Sequence, residues 1–570
     1  MKILDFEAAN CKNCYKCVRN CSVKAIKMID DRAQIDENLC IACGNCLLVC
    51  PQNARYIRSE LDKLFEAIEE GKQIVLSIAP SYLGIFKEPY KFIASLRSIG
   101  INIIEETSIG AEKVSSLYKE YLDTLDNKSV ITTCCPSANQ LIEHYFPELI
   151  SNMIPVVSPM VAHCKMLKEK YNENSFIAFL GPCIAKKSEK NLYEAENFID
   201  TVITFEEIED YFEQNGIEIN TFDDSKPDST GNTIGQQYPM ENGIIDGLRK
   251  TLKSKGYIPL SISGVENCKK AFESLKDEHI EKLFIEVNTC TGSCIGGPAI
   301  SKHDQNVNLR EYLIRNKLSE NTLLEKIIEE KNNPINYTKI FTDKSVNRIY
   351  KEKDIKAVLA KTGKHKKEDE LNCGACGYNT CREKAMAVLD GLAKPEMCLP
   401  YMRSKAERIS NIAFEYSPNI LFIVDHNLDI LDMNPLAETS FSASKENFIG
   451  KNLSLLMPTE AFGQVIERDK NLLNKKFVIE KYNLITYISI IYLEKLKSFF
   501  VMLLDITEEE KENEKLIEMK MKTINAADKV IEKQMRVAQE IAGLLGETTA
   551  ETKATLLKLK KVVATDESER

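Results

Sequence analysis

No apolar run in the chain approaches the roughly 18–20 residues needed to cross a bilayer. The opening stretch, MKILDFEAANCKNC, has neither the apolar core nor the small-residue cleavage site of a secretory leader, and it carries no twin-arginine pair. The expectation is a cytoplasmic protein with no membrane association. Basic charge is not in excess: 75 Lys+Arg stand against 85 Asp+Glu, a net charge of −10. That balance argues against nucleic acid as a partner, because phosphate binding needs a net basic footprint. No histidine precedes His144, which removes from the N-terminal region a residue often paired with cysteine in zinc sites. Cysteine, in contrast, is abundant, with 19 in 570 residues. In a reducing compartment these do not form a disulfide framework, and clustered cysteines in such chains usually bind metal. With 44% hydrophobic and 28% charged residues, most of the chain can bury a core. The length suggests about four folded units.

Two N-terminal runs have the same form: Cys11-x2-Cys14-x2-Cys17-x3-Cys21 and Cys40-x2-Cys43-x2-Cys46-x3-Cys50-Pro51. This is the spacing of a ferredoxin with two clusters, in which three thiolates wrap one cubane and the fourth reaches the other. Cys11, Cys14, Cys17 and Cys50 are expected to hold one [4Fe–4S] cluster, and Cys40, Cys43, Cys46 and Cys21 the second. Ser22 stands where the first run would normally carry proline. Paired zinc sites are the alternative, but zinc ligands come as separated pairs, often with histidine.

From about Leu61 the pattern alternates between helical and strand-like runs. LDKLFEAIEEG reads as a helix. QIVLSIAP, INIIEETS, SVITTCCP, SFIAFLGPC and KLFIEVNTC read as buried strands ending in polar or cysteine-bearing loops. In open α/β sheets, sites gather beyond the strand ends. The loops read Thr132-Thr133-Cys134-Cys135-Pro136, then Gly181-Pro182-Cys183-Ile184-Ala185-Lys186-Lys187-Ser188-Glu189, then Glu286-Val287-Asn288-Thr289-Cys290-Thr291-Gly292-Ser293-Cys294-Ile295-Gly296-Gly297-Pro298.

In order and spacing these loops resemble the three signature loops of the catalytic domain of [FeFe]-hydrogenases, over roughly residues 60–350. The resemblance implies an H-cluster, a [4Fe–4S] cubane joined to a diiron subsite with CO and CN ligands and a dithiolate bridge. By motif position Cys135, Cys183, Cys290 and Cys294 would ligate the cubane, and Cys294 would bridge to the diiron subsite. Cys134 matches the proton-relay thiol, and Lys186 the lysine that donates to a cyanide. Ala79, Pro80 and Ser81 match the loop that cradles the other cyanide. Glu106 and Ser158 match an acid and a serine on the proton path, and Glu189 the acid closing the second motif. Three positions depart from the pattern. Gly181 and Asn288 stand where the family usually has methionine, and Ile109 stands where an outer acid is expected. These departures suggest a roomier, more polar pocket, an altered proton path and slow turnover. A related alternative resembles the cytosolic iron–sulfur assembly factors, which keep a cubane in this fold without the diiron subsite. Cys164 and Cys268 remain unassigned, and His144, His163 and His279 are given no role.

A third group, Cys373-x2-Cys376-x4-Cys381-x16-Cys398, resembles a small four-cysteine [4Fe–4S] domain of redox enzymes. CREKAMAVLDG reads as a helix that returns Cys398 to the cluster; zinc is again the alternative. After Met402 the cysteines stop. Residues 408–508 resemble a PAS domain in their first half and in the last strand FFVMLLDITEEE, with no haem or flavin signature and with His426 in a hairpin. Ile517, Ile524, Ile531, Ala538 and Leu545 recur every seven residues, followed four residues on by Met521, Met535 and Ala542, with Asp528 in the same seam. That pattern suits a coiled coil.

The expected architecture is a multidomain α+β and α/β chain. It comprises a two-cluster ferredoxin domain (1–57), an α/β H-cluster domain (58–355), a four-cysteine Fe–S domain (356–405), a PAS domain (406–508) and a helical coiled-coil segment for signalling or dimerisation (509–570). The resemblance implies a sensory [FeFe]-hydrogenase that cleaves H2 reversibly into protons and electrons. It would carry three further [4Fe–4S] clusters besides the H-cluster, and its PAS ligand is unknown. Expected partners are H2 and protons, a ferredoxin or other redox protein, hydrogenase maturation proteins, a signalling kinase or phosphatase, and a second copy of the chain. The alternatives are a bulk hydrogenase that uses the PAS domain only to dimerise and a non-catalytic Fe–S protein.

Overall fold

The structure, a computed structural model, describes residues 3–564 except 30–31, 173, 193–194, 196, 278–279, 301, 304–305, 321–334, 347, 469–470, 495 and 546–549. His279 and the tail TDESER lie outside the described residues. Two compact units divide the chain, Met1–Tyr401 and Met402–Arg570. The three expected iron–sulfur stretches all lie within the first. No described helix is long and apolar enough to cross a membrane.

The first unit begins with two small antiparallel pairs. Leu4–Phe6 pairs with Arg55–Ile57, and Ile26–Ile29 with Arg32–Ile35. A single helical turn follows within each cysteine run, Lys16–Arg19 and Asn45–Leu48. Two parallel sheets come next. One has the order Ile103–Glu106, Ile74–Ile78, Phe176–Gly181, Thr201–Thr204; the other runs Ile258–Ser263, Leu283–Asn288, Val130–Ile131. Every residue of Ile74–Ile78 is buried, as expected of a parallel strand covered by helices on both faces. The five strands expected from the sequence are therefore shared between two sheets. Thr201–Thr204 and Ile258–Ser263, which were not expected, extend one sheet each.

The four-cysteine segment packs on the N-terminal cysteine runs. Val18, Ile26, Met28 and Ala33 form one core with Tyr378, Ala387, Leu392 and Met397. Helices Glu352–Lys361 and Cys381–Leu389 close it through Ile355, Val358, Leu359 and Ala385.

The second unit starts within helix Leu399–Glu415 and holds a five-stranded antiparallel sheet. Its order is Ile430–Met433, Ile420–Asp425, Ser498–Asp505, Leu484–Leu493, Leu472–Ile479. Helices Pro435–Ser440 and Glu460–Arg468 supply Phe441 and Phe462 to a core with Phe422 and Phe499. Asn434 pins the first crossover. Its carboxamide oxygen accepts from the backbone N–H groups of Leu421 and Ala437, and its nitrogen donates to Asn419 O. His426 is exposed. Helix Thr507–Leu545 follows, and Ala550–Ala564 returns along it with Lys560 Nζ 3.1 Å from Asp528. Asp528, which interrupts the heptad seam, thus meets a charge partner within the same chain.

Candidate metal centre

In the N-terminal runs the thiols sort across the sequence. Cys21 lies close enough to Cys40, Cys43 and Cys46 to act on each electrostatically, and Cys11 acts likewise on Cys17. Backbone amides point at the sulfurs: Ala25 N–H donates to Cys21, Ala42 to Cys40 and Ala54 to Cys50. Such bonds stabilise the charge of a thiolate-ligated cluster. Burial pushes these thiols up, Cys40 to about 11 and Cys43 to about 12, and a bound cation would offset that cost by favouring their thiolates. Among the described residues no three cysteine, histidine or carboxylate side chains close up tightly enough for one metal ion.

The five strand ends converge. Cys135, Cys183, Cys290 and Cys294 line one cavity together with Cys43 and Cys134. Gly44 brings the second N-terminal run to this cavity. At φ +74° it sits so close that a Cβ would lie 2.4 Å from Pro298 Cγ and 2.8 Å from Ile184 Cδ1. Cys43 and Cys290 are accordingly electrostatic neighbours.

A second cavity of about 90 Å³ adjoins the first and shares Cys134, Cys183, Lys186, Asn288 and Cys294 with it. Ala79, Pro80, Phe179, Met160 and Ile244 give it apolar walls. Ser81 lines this cavity, is fully buried, and its hydroxyl has no partner among the described residues. An orphaned buried hydroxyl is costly and points to an absent polar ligand. Lys186 Nζ donates to Glu189 Oε2 at 2.7 Å and to Cys134 O at 3.4 Å. Burial lowers the Lys186 pKa, but Glu189 and the neighbouring thiols outweigh it and keep the ammonium charged. The residues present thus fit an anionic group held against Ser81 and Lys186 beside the thiols. Gly181 does not make the cavity roomier. A Cβ there would meet the Phe179 ring at 2.9 Å and Ala79 Cβ at 3.0 Å, so neighbouring side chains already fill the space.

The sequence-predicted proton-path residues do not form one continuous hydrogen-bonded chain from Cys134. Cys134 Sγ meets the Tyr118 hydroxyl at 3.3 Å. Burial pushes the thiol up to about 12, against smaller opposing pulls from Tyr118 and Lys186. Tyr118 is itself raised well above its ordinary value by burial. Glu106 is fully buried and raised to about 7 by desolvation; its partners are Ser108, Gln236 and Tyr82. Ser158 donates to Glu189 Oε2 at 2.9 Å and so belongs with Lys186 and Lys339. Sequence reasoning missed Tyr118. It sits in helix Ser108–Asp123 with no motif of its own, and only a helical projection would have turned it inward.

Cys373, Cys376, Cys381 and Cys398 line a third cavity with Lys364 and Lys384, also missed. Lys364 Nζ lies 3.3 Å from Cys398 Sγ. Cys164 and Cys268 are fully buried; the Cys268 thiol donates to Asn288 O.

Residues 72–298 match the family described as "Iron only hydrogenase large subunit, C-terminal domain". Residues 33–56 match a 4Fe-4S binding domain, and 369–400 an Fe-S cluster family. The NADP-reducing hydrogenase subunit HndD of Solidesulfovibrio fructosivorans is 24% identical over 337 residues, which is 48% of this chain and 58% of that protein. Iron hydrogenase 1 of Clostridium pasteurianum is 23% identical over 417 residues, 58% of this chain and 72% of its own. The cytosolic Fe-S cluster assembly factor NAR1 of Vanderwaltozyma polyspora is 27% identical over 194 residues, covering 31% and 36%. Among solved structures, a variant of the [FeFe]-hydrogenase HydA1 of Chlamydomonas reinhardtii aligns at TM-score 0.38 and 18% identity, over 47% of this chain and 91% of that one.

Proposed function

We propose that the chain is a cytoplasmic sensory [FeFe]-hydrogenase that cleaves dihydrogen slowly and reversibly, and that its second unit, read as a PAS domain with a helical extension, passes the result to a signalling partner. One observation carries the enzymatic part: Cys134, Lys186 and the orphaned Ser81 hydroxyl meet around a largely apolar cavity that opens onto four converging thiols. Cys135, Cys183, Cys290 and Cys294 would hold the cubane, and Ser81 and Lys186 would donate hydrogen bonds to anionic ligands on the diiron subsite. When bound, that group supplies the reducible iron that exchanges two electrons with dihydrogen. Apolar walls admit a molecule with no charge or dipole and exclude water. Cys134 holds a proton at the cavity edge, as an acid–base group must.

Slow turnover follows from the neighbour of that thiol. Tyr118 and Cys134 are both pushed up by burial, so each keeps its proton at ordinary pH and neither releases one readily. Electrons would leave through the cluster of Cys21, Cys40, Cys43 and Cys46, whose Cys43 already lines the thiol cavity. From there they would reach the other N-terminal cluster and the Cys373–Cys398 cluster, and then a ferredoxin or similar carrier.

The test is dihydrogen-dependent dye reduction by anaerobically matured full-length protein. Wild type is expected to turn over and Cys134→Ala to lose activity. The similarity to an assembly factor favours a second reading, a non-catalytic iron–sulfur protein. It predicts a full complement of cubanes with no dihydrogen chemistry. The sensory role is tested by hydrogen exchange across residues 402–570 under H2 and under argon; identical patterns would defeat it.

A further inference from the structure

A line of buried polar side chains runs from the second cavity through the core to the surface. Thr107, at the end of strand Ile103–Glu106, lines the cavity. Its hydroxyl lies 2.7 Å from Ser77 Oγ, in the middle of the buried strand Ile74–Ile78. Ser77 Oγ lies 2.8 Å from His163 Nδ1. The other ring nitrogen faces Glu105, with Nε2 3.6 Å from Oε2. Glu105 Oε1 then accepts from Lys170 Nζ and Tyr171 OH, both at 2.5 Å. The Lys170 side chain is 52% exposed, whereas Ser77 is 0% and His163 1% exposed. Gly110 allows this approach: a Cβ there would lie 2.3 Å from Pro159 O and 2.7 Å from His163 Cβ, so the helix that carries His163 packs directly against its neighbour.

Burying two hydroxyls, an imidazole and a carboxylate among apolar strands is expensive, and an apolar core of the same shape would be at least as stable. Their order supplies the reason. The two hydroxyls and the imidazole can each donate and accept, and the Glu105 carboxylate accepts; Thr107, Ser77 and His163 stand at hydrogen-bond length in turn, and the His163–Glu105 gap alone needs about half an ångström of closure. Full burial of Ser77 rules out a hydrolytic use of the Ser77–His163–Glu105 set, since no substrate reaches the hydroxyl.

We propose that Thr107, Ser77, His163 and Glu105 form a proton wire between the cavity and the Lys170–Tyr171 surface, serving the reaction proposed above and resting on that reading. Each dihydrogen yields two protons and two electrons. The electrons leave through the cysteine-held clusters, and the protons pass one at a time along the wire. As Thr107 takes a proton from the cavity, its own moves to Ser77 and the Ser77 proton to His163 Nδ1. His163 then releases its Nε2 proton to Glu105, which hands it to solvent beside Lys170 and Tyr171. Burial pushes the Glu105 carboxyl up, but the facing His163 imidazole and the hydrogen bonds from Lys170 and Tyr171 outweigh it and hold it at about 2, so it passes protons on instead of storing them. Nothing in the wire requires Glu106, Ser158 or an acid at position 109.

The experiment compares full-length matured wild type with Thr107→Val, Thr107→Ser and His163→Gln. Thr107→Val keeps the shape and removes the hydroxyl. It and His163→Gln should lower dihydrogen turnover by about tenfold or more, with KM for H2 unchanged and a larger solvent deuterium isotope effect. Thr107→Ser, which keeps the hydroxyl, should recover turnover relative to Thr107→Val. Wild-type rates in both Thr107→Val and His163→Gln overturn the wire. A readout without the diiron group separates this failure from failure of the hydrogenase reading. In protein carrying only cubanes, the His163 imidazole ¹⁵N resonance, identified by its loss in His163→Gln, should show a neutral ring whose N–H exchanges rapidly with D2O. A ring proton locked against exchange marks a structural histidine and overturns the wire whether or not the protein cleaves dihydrogen.

Discussion

Removing the Tyr118 hydroxyl tests how the relay thiol is held. In the native structure Thr133 N–H donates to Tyr118 OH at 2.9 Å, and the same hydroxyl lies 3.2 Å from Thr133 Oγ1 and 3.3 Å from Cys134 Sγ. Tyr118 and Thr133 are fully buried, so no water replaces the lost partner. Tyr118→Phe leaves the Thr133 amide unsatisfied, at a cost of about 1–3 kcal/mol. For a unit spanning Met1–Tyr401, with an unfolding entropy of about 2.1 cal/mol/K per residue, that lowers the melting temperature by roughly 1 °C per kcal/mol. The variant should fill the same space, load the same iron and melt about 1–3 °C earlier, followed anaerobically at the iron–sulfur absorbance. Turnover should change with it, because Cys134 loses the group that orients its S–H. An unchanged melting temperature together with unchanged turnover would refute the claim that Tyr118 organises the Cys134 loop.

Gly44→Ala forces a Cβ against Pro298 at a left-handed φ. It should loosen the N-terminal clusters from the thiol cavity and slow dye-linked electron transfer while leaving the infrared spectrum of the diiron ligands unchanged. Lys364→Met removes the ammonium beside Cys398. A charge-assisted bond to the reduced cluster is worth about 1.5–3 kcal/mol, so the potential of that cluster should fall by roughly 60 mV or more in a redox titration followed by electron paramagnetic resonance. Burial raises Glu106 to about 7 from the ordinary value of 4.5. Its stabilising contribution is complete below about 4.5 and is lost as pH rises through about 7. Glu106→Gln should flatten the decline in stability over that window; an unaltered pH profile would show that Glu106 is not held protonated.

The cysteine sites were legible because cluster ligation is written in local spacing, and a doubled x2-x2-x3 run has few other physical uses. Buried parallel strands such as Ile74–Ile78 were legible as apolar runs. Ile258–Ser263 was not, since Ile258 and Leu260 are exposed at a sheet edge and its residues alternate with proline and serine. The partners of the site were harder still. Tyr118 reaches Cys134 from a helix 16 residues away, Lys364 reaches Cys398 from 34 away, and His163 meets Ser77 from 86 away. No spacing rule links such pairs; only the packing of one helix on one sheet brings them together. The loss of a side chain at Gly181 reads as open space in the sequence, yet Phe179 fills it.

The central claim is that the cavity bounded by Ser81, Cys134 and Lys186 holds an organometallic iron group. Infrared spectroscopy of anaerobically matured full-length protein under dihydrogen tests it most directly. The account predicts sharp bands from iron-bound CO and CN⁻ that shift between H2 and argon and are perturbed in Lys186→Ala. A spectrum without such bands, from protein whose iron content equals that of its cubanes alone after maturation, would contradict it.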